Sequence, residues 1–258
     1  MTINLDDLTI YVADAGSVSK GNFHWVTSTD LSVSSTDPLA LAKAVATGIA
    51  NNEIVALGYE SPLFVPLPGE SDQLGKARDG EVEKAIGSKP FNAGAGASVF
   101  ATGIQSLAWV LKEVKKLSPC AVGSTRWKDF QNKKCSLFLW EAFVTGSEKA
   151  YPPSHAGDAA LAIKGFRKSL HLPNPTRIRC ERAFSLGAAA LIQAGLTDDL
   201  NLLNEPCVVV RPIFSDSESK QRLKSYKRRT SEKKEKKEHS KNAKMNEAIE
   251  ARLKEMAN

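Results

Sequence analysis

Two runs near the start of the chain, LTIYVAD at residues 8–14 and EIVALGYE at residues 53–60, most constrain how it can fold. Both are rich in β-branched and apolar types, so both read as strands, and both end in an acid. Between them lies a second β-rich run, NFHWVTS at 22–28, joined to the first by a turn region from Gly16 to Gly21. LSVSSTD reads as a weak, polar edge strand. Asp37 then has the character of a helix N-cap and Pro38 of a first helical position. That helix is expected to run to about Ile49, with Leu39, Ala42, Val45, Ala46 and Ile49 on one face. A hairpin followed by alternating helices and strands implies an α/β fold, a mixed sheet with helices packed on it.

The rest of the chain continues the alternation. Pro62, Pro66 and Pro68 argue against a regular ladder in SPLFVPLPGE, and residues 69–97 are polar and glycine-rich, so a loop is expected. Ser98 to Leu117 has a helical pattern that stops before Ser118-Pro119. CSLFLWEAFVTG (135–146) reads as a buried strand carrying Glu141. PPSHAGDAALAIKGFRKSL reads as a helix beginning after Pro153-Ser154, a further helix is expected from about Glu181 to Ala194, and PCVVVRP (206–212) reads as a short apolar strand or extended segment.

Charge divides the chain into two parts. Residues 216–258 hold 14 Lys and Arg against 8 Asp and Glu, which accounts for the whole net charge of +6. Residues 1–215 hold 21 of each and are neutral. The expectation is one folded domain over 1–215 and a basic tail over 216–258, disordered or partly helical, because the tail lacks the apolar content to fold alone. The pI of about 9.1 therefore speaks for the tail only. In residues 220–244, 12 Lys and Arg face three Glu. Such a run attracts phosphate backbones without reading sequence, and it equally suits a solubilising or partner-binding tail. The longest near-apolar stretch, AFSLGAAALIQAGL, is 14 residues and suits a buried helix, so no membrane span is expected. The start, MTINLDDLTI, lacks signal-peptide character, and Cys120, Cys135, Cys180 and Cys207 have no metal or redox spacing. Free thiols in a cytoplasmic protein are the expectation.

The acids carry the chemistry. Asp14 and Glu60 end apolar strands, and adjacent strands can bring both to one sheet edge. A helix crossing that edge can present Asp158 to them. Three crowded carboxylates repel, and a hard divalent cation relieves the repulsion. Oxygen donors, with no clustered Cys or His ligands, point to Mg2+ or Mn2+ and away from zinc. His155 precedes Asp158 by three residues and shares its helix face, where it can orient a water, donate to a phosphate, touch a metal, or simply face solvent. Glu141, between LFLW and AFV, is buried. It either joins the metal cluster or meets a basic partner such as Arg177, Arg179 or Lys164, because a buried carboxylate without a partner is costly.

These stretches carry a resemblance over roughly residues 8–212. DAGSVSKGNFHWV resembles the first hairpin of RuvC-type resolvases in the ribonuclease H-like superfamily, where Asp-x-Gly-Ser opens the turn. SHAGDAALAIKGF is similar to the His- and Asp-containing final helix of the same group. VALGYESPLFVPLP, and FSLGAAALIQAGL preceding PCVVVRP, are similar to a predicted nuclease family of unknown function in that superfamily. The resemblance implies a ribonuclease H-like mixed five-stranded sheet flanked by helices. It implies Asp14, Glu60 and Asp158 as metal ligands, His155 as an auxiliary site residue, and Mg2+ or Mn2+ as cofactor; Glu141 is a candidate fourth ligand from its burial alone. The implied activity is a nuclease hydrolysing phosphodiester bonds of DNA or RNA with two metal ions, and a homodimer is among the assemblies it allows. The faint third strand and the insertion at 69–97 depart from the pattern. A non-catalytic module of the same fold, binding nucleic acid or a protein, is the alternative. An actin-like phosphotransferase is disfavoured by the lack of a second phosphate loop.

Three further stretches bear on ligands. NAGAGAS (92–98) precedes a helix and can cradle a phosphate, but it lacks the Gly-Lys-Ser/Thr ending of a P-loop, and a flexible connector is the preferred reading. STRWKDFQNKK (124–134) mixes basic and aromatic residues, as base-stacking surfaces do, or is a loop around a buried Trp127. Arg167, Lys168, Arg177, Arg179 and Arg182 follow the Asp158 helix, as backbone contacts or as ordinary surface charge.

Overall fold

The computed structural model describes all residues except 1–7, 84–86, 88–89, 93–94, 177 and 257–258. The chain forms two compact units, Met1–Ile213 and Phe214–Asn258.

The first unit is α/β. Strand β1 (Leu8–Ala15) pairs antiparallel with β2 (Phe23–Thr27), and β2 pairs antiparallel with a two-residue β3 (Ser34–Ser35). Helix α1 (Pro38–Ala50) follows, capped as its sequence requires. Asp37 Oδ1 accepts from Leu39 N at 2.8 Å, and Pro38 opens the first turn. Strand β4 (Ile54–Glu60) returns parallel beside β1. Beyond it come β5 (Phe64–Pro66), α2 (Ala95–Leu117), β6 (Gly123–Ser124), α3 (Trp127–Gln131), β7 (Leu137–Ala142) and α4 (His155–Ser169). The unit ends with β8 (Ala183–Ser185), α5 (Leu186–Gln193) and β9 (Val209–Val210).

The main sheet runs β3-β2-β1-β4-β7-β6, and β9 also pairs with β7. Seven strands replace the expected five. The two additional ones, β6 and β9, are each two residues long and lie parallel to opposite ends of β7. The region expected to lack a ladder because of its prolines forms a small one. β5 pairs antiparallel with β8, and Pro66 lies at its end, opposite Ala183. β8 also takes the first residues of the helix expected from Glu181, so α5 begins only at Leu186.

Alternation along each strand divides the core into two layers. Tyr11, Ala13, Val55, Leu57, Tyr59, Leu137 and Leu139 face α1, α2 and α5. Leu8, Ile10, Val12, Ile54, Ala56, Phe138 and Trp140 face α3 and α4, where they meet Trp127, Phe130, Ala159, Ala162, Ile163 and Phe166. Trp140 and Phe166 stack with centroids 4.5 Å apart. Gly58 allows this, because a Cβ there would run into the Trp140 ring.

The second unit contains one helix, α6 (Asp216–Met256), polar along its length. No helix among the described residues is long and apolar enough to cross a membrane.

Candidate metal centre

Asp14 and Glu60 are opposite each other in the parallel β1–β4 register. Both have the parity of Val12 and Ala56, so both point to the α4 side of the sheet. Gly16 fixes where β1 stops. Its N–H donates to Asp14 O at 2.9 Å, and a Cβ on it would overlap the Asn22 carbonyl across the turn. Helix α4 lies on this face. Ser154 caps it, accepting from Gly157 N at 3.0 Å, which places His155 and Asp158 in its first turn.

The three expected ligands converge. One carboxylate oxygen each from Asp14, Glu60 and Asp158 lies within 4.8 Å of the others. Asp14 and Asp158 are buried, and the Glu60 side chain is 13% exposed. His155 Nδ1 lies 2.6 Å from Asp14 Oδ2, so it belongs to the site and not to open solvent alone.

Three residues not expected from the sequence complete the constellation. Lys149 Nζ donates to Asp158 Oδ2 at 3.1 Å and lies 3.7 Å from Glu60 Oε1. The next residue, Ala150, donates its N–H to Asp158 Oδ1 at 2.6 Å. His24 is the register partner of Asp14 across the β1–β2 hairpin and stacks on His155, rings 5.4 Å apart and 13° from parallel. Counting the hairpin register from the Gly16–Gly21 turn was the signal that could have found His24. Lys149 had none, since it lies in an irregular segment nine residues before Asp158.

The electrostatics are those of a site short of positive charge. Burial and then the neighbouring Asp14 carboxylate push Glu60 well above the usual glutamate range. Burial also raises Asp14, against the pull of its hydrogen bond to His155. Burial works against the Lys149 ammonium, but Glu60 and Asp158 more than offset it and raise its pKa. Glu60 Oε2 is buried and has no hydrogen-bond partner. A hard cation suits such an atom, and the donor set is entirely oxygen.

Glu141 does not join this group. On β7 it has the parity of Leu137 and Leu139, which places it on the other face of the sheet. Its carboxylate is bound by Arg78, with NH1 to Oε2 and NH2 to Oε1 both at 2.7 Å, and Oε2 also accepts from Leu63 N at 2.9 Å. It is therefore corrected from metal ligand to half of a buried ion pair. Its partner is Arg78, from the glycine-rich insertion, and not Arg179 or Lys164; Arg177 lies outside the described residues. Glu81 shares the same guanidinium and accepts from Phe91 N, so the pair pins the insertion to the domain.

The STRWKDFQNKK stretch is likewise structural. Trp127 is buried and donates Nε1–H to Leu172 O, and Arg126 is held by Glu205 and Asp199. In the basic run after α4, Arg167 and Lys168 bond to the Ser28 and Ile213 carbonyls, while Arg179 and Arg182 are exposed. The NAGAGAS loop includes residues outside those described. No known protein-family description, curated protein or solved structure matches the chain.

Proposed function

We propose that the chain is a divalent-metal-dependent nuclease of ribonuclease H-like type, hydrolysing phosphodiester bonds of DNA or RNA. One observation carries the reading. Two strand-end acids and one helix acid, 144 residues apart at the extremes, meet on one face of a mixed sheet around a buried carboxylate oxygen that has no partner. The hairpin-first order of the sheet and the His155–Asp158 helix over its edge agree with the resemblance of the sequence to RuvC-type resolvases.

Asp14, Glu60 and Asp158 would hold the metal. Mg2+ or Mn2+ bound there supplies an activated water and charge stabilisation at phosphorus. The chain's own groups have separate roles. Asp158 is oriented through both oxygens by Lys149 and Ala150. His155 fixes the orientation of Asp14, and its side chain, 46% exposed, faces the side from which a phosphate approaches. Lys149, equally exposed, presents a cation there. The charge excess of residues 216–258 adds a sequence-independent attraction to the nucleic-acid backbone.

The test is cleavage of single- and double-stranded DNA and RNA with Mg2+ or Mn2+, with and without chelator. The proposal expects metal-dependent cleavage that Asp14→Asn abolishes. Nucleic-acid binding unaffected by metal, with no cleavage of any substrate, would instead mark a non-catalytic binding module.

A further inference from the structure

We infer that the Lys149 ammonium stands in for a second divalent ion, so that the acid cluster takes one ion and not the two that the resemblance implies. This rests on the metal-centre reading above and deepens it.

The contacts divide the carboxylate oxygens unevenly. Each Asp158 oxygen accepts one hydrogen bond, Oδ2 from Lys149 Nζ and Oδ1 from Ala150 N–H, and keeps a lone pair for an ion. Glu60 Oε1 faces the same ammonium at 3.7 Å. Lys149 thus already bridges the strand acid and the helix acid, as a shared cation does. Asp14 Oδ2 is engaged by His155. The buried oxygen left without a hydrogen bond, Glu60 Oε2, belongs to the residue directly opposite Asp14 in the sheet. The position for an ion is therefore among the three acids on the Asp14 side, while the Lys149 ammonium occupies the outer Glu60–Asp158 side, where a second ion would sit.

Charge balance agrees. With the acids ionised, as metal binding requires, three carboxylates and one ammonium leave two negative charges, which one divalent ion neutralises. Two ions beside the ammonium would overshoot to a positive site, with like charges about 4 Å apart repelling one another in a partly buried setting. An ammonium is held by its side chain and needs no loading from solution. At 46% exposure, Lys149 can still face a phosphate oxygen. In this arrangement the lysine supplies the fixed charge on one side of the phosphate and the single ion supplies it on the other.

The experiment counts bound Mn2+ on the full chain without nucleic acid, by equilibrium dialysis and by the spin-resonance signal of free Mn2+. The wild-type chain is expected to bind about one ion. Lys149→Met should admit a second, weaker ion, and Lys149→Arg, which keeps the charge, should remain at about one. Circular dichroism checks the fold of each variant, and Lys149→Gln replaces Lys149→Met if the latter does not fold. Two ions on the wild-type chain would overturn the inference. So would Lys149→Met binding one ion with unchanged affinity. A folded wild-type chain that binds no Mn2+ removes the metal-centre reading itself, and a count of zero distinguishes that failure from the other two.

Discussion

Asp14 and Glu60 are register partners on adjacent parallel strands, and both side chains point to the face covered by α4. Two like charges are thereby fixed side by side by the backbone ladder, beyond the reach of rotamer changes to separate fully. Lys149 offsets only part of that repulsion, and a proton or a further cation relieves the rest.

Asp14→Asn and Glu60→Gln each remove one negative charge and one hard ligand. Both should weaken Mn2+ binding at least about tenfold, since a lost carboxylate contact in a partly buried site exceeds the 1.4 kcal/mol that tenfold represents. Neither should lower the melting temperature, because each also relieves repulsion. Calorimetric titration alongside thermal denaturation measures both. Unchanged Mn2+ affinity in both variants contradicts the assignment.

The elevated carboxyl pKa values set a pH dependence. Glu60 and Asp14 are raised in the folded state, so between the unfolded and folded values the native chain binds more protons than the unfolded one. Stability without metal therefore falls as pH rises from about 4.3, the ordinary glutamate value, through the folded-state values. Millimolar Mg2+ or Mn2+ should flatten that fall, since the ion takes the place of the proton. Denaturation midpoints across pH 4–8, with and without metal, give the comparison, and Glu60→Gln should remove much of the slope.

Arg78 and Glu141 test the correction on the opposite face. Arg78→Met leaves Glu81 and Glu141 buried without their cation and should cost about 3–5 kcal/mol. For a domain of this size that is a loss of roughly 6–20 °C in melting temperature. Glu141→Gln should destabilise less and leave Mn2+ affinity intact. A large fall in metal affinity in Glu141→Gln, at preserved stability, would return Glu141 to the metal site.

Trp127→Ala separates core from surface. The ring packs among Phe130, Phe138 and Phe166, so its loss should cost about 3–5 kcal/mol. Nucleic-acid affinity of the folded fraction should not change. An affinity loss without a stability loss would restore the base-stacking role.

The sheet and the three-acid site were legible because both rest on strand parity and strand ends. Apolar runs ending at Asp14 and Glu60 need only adjacent pairing to meet, and the Ser154 cap dictates where Asp158 sits on its helix. Glu141 was misread for a related reason. It sits in as apolar a strand as the others, but burial does not say which face a residue takes, and its parity relative to Glu60 depends on the β4–β7 register, in which Tyr59 and not Glu60 is its partner. Arg78 and Lys149 were invisible because each comes from an irregular segment whose path is set by tertiary contacts. The short strand β6 was not legible because two residues give no periodicity to read, while β9 falls within PCVVVRP, whose apolar run does read as a short strand or extended segment.

The most direct test of the metal centre is a crystal of the full chain soaked in Mn2+, with anomalous diffraction recorded to locate the ion. The account predicts one manganese peak among the carboxylate oxygens of Asp14, Glu60 and Asp158, about 2.0–2.6 Å from its ligands, with the Lys149 ammonium still beside Asp158. Carboxylates of residues 14, 60 and 158 that stay together at saturating Mn2+ with no peak among them would contradict it.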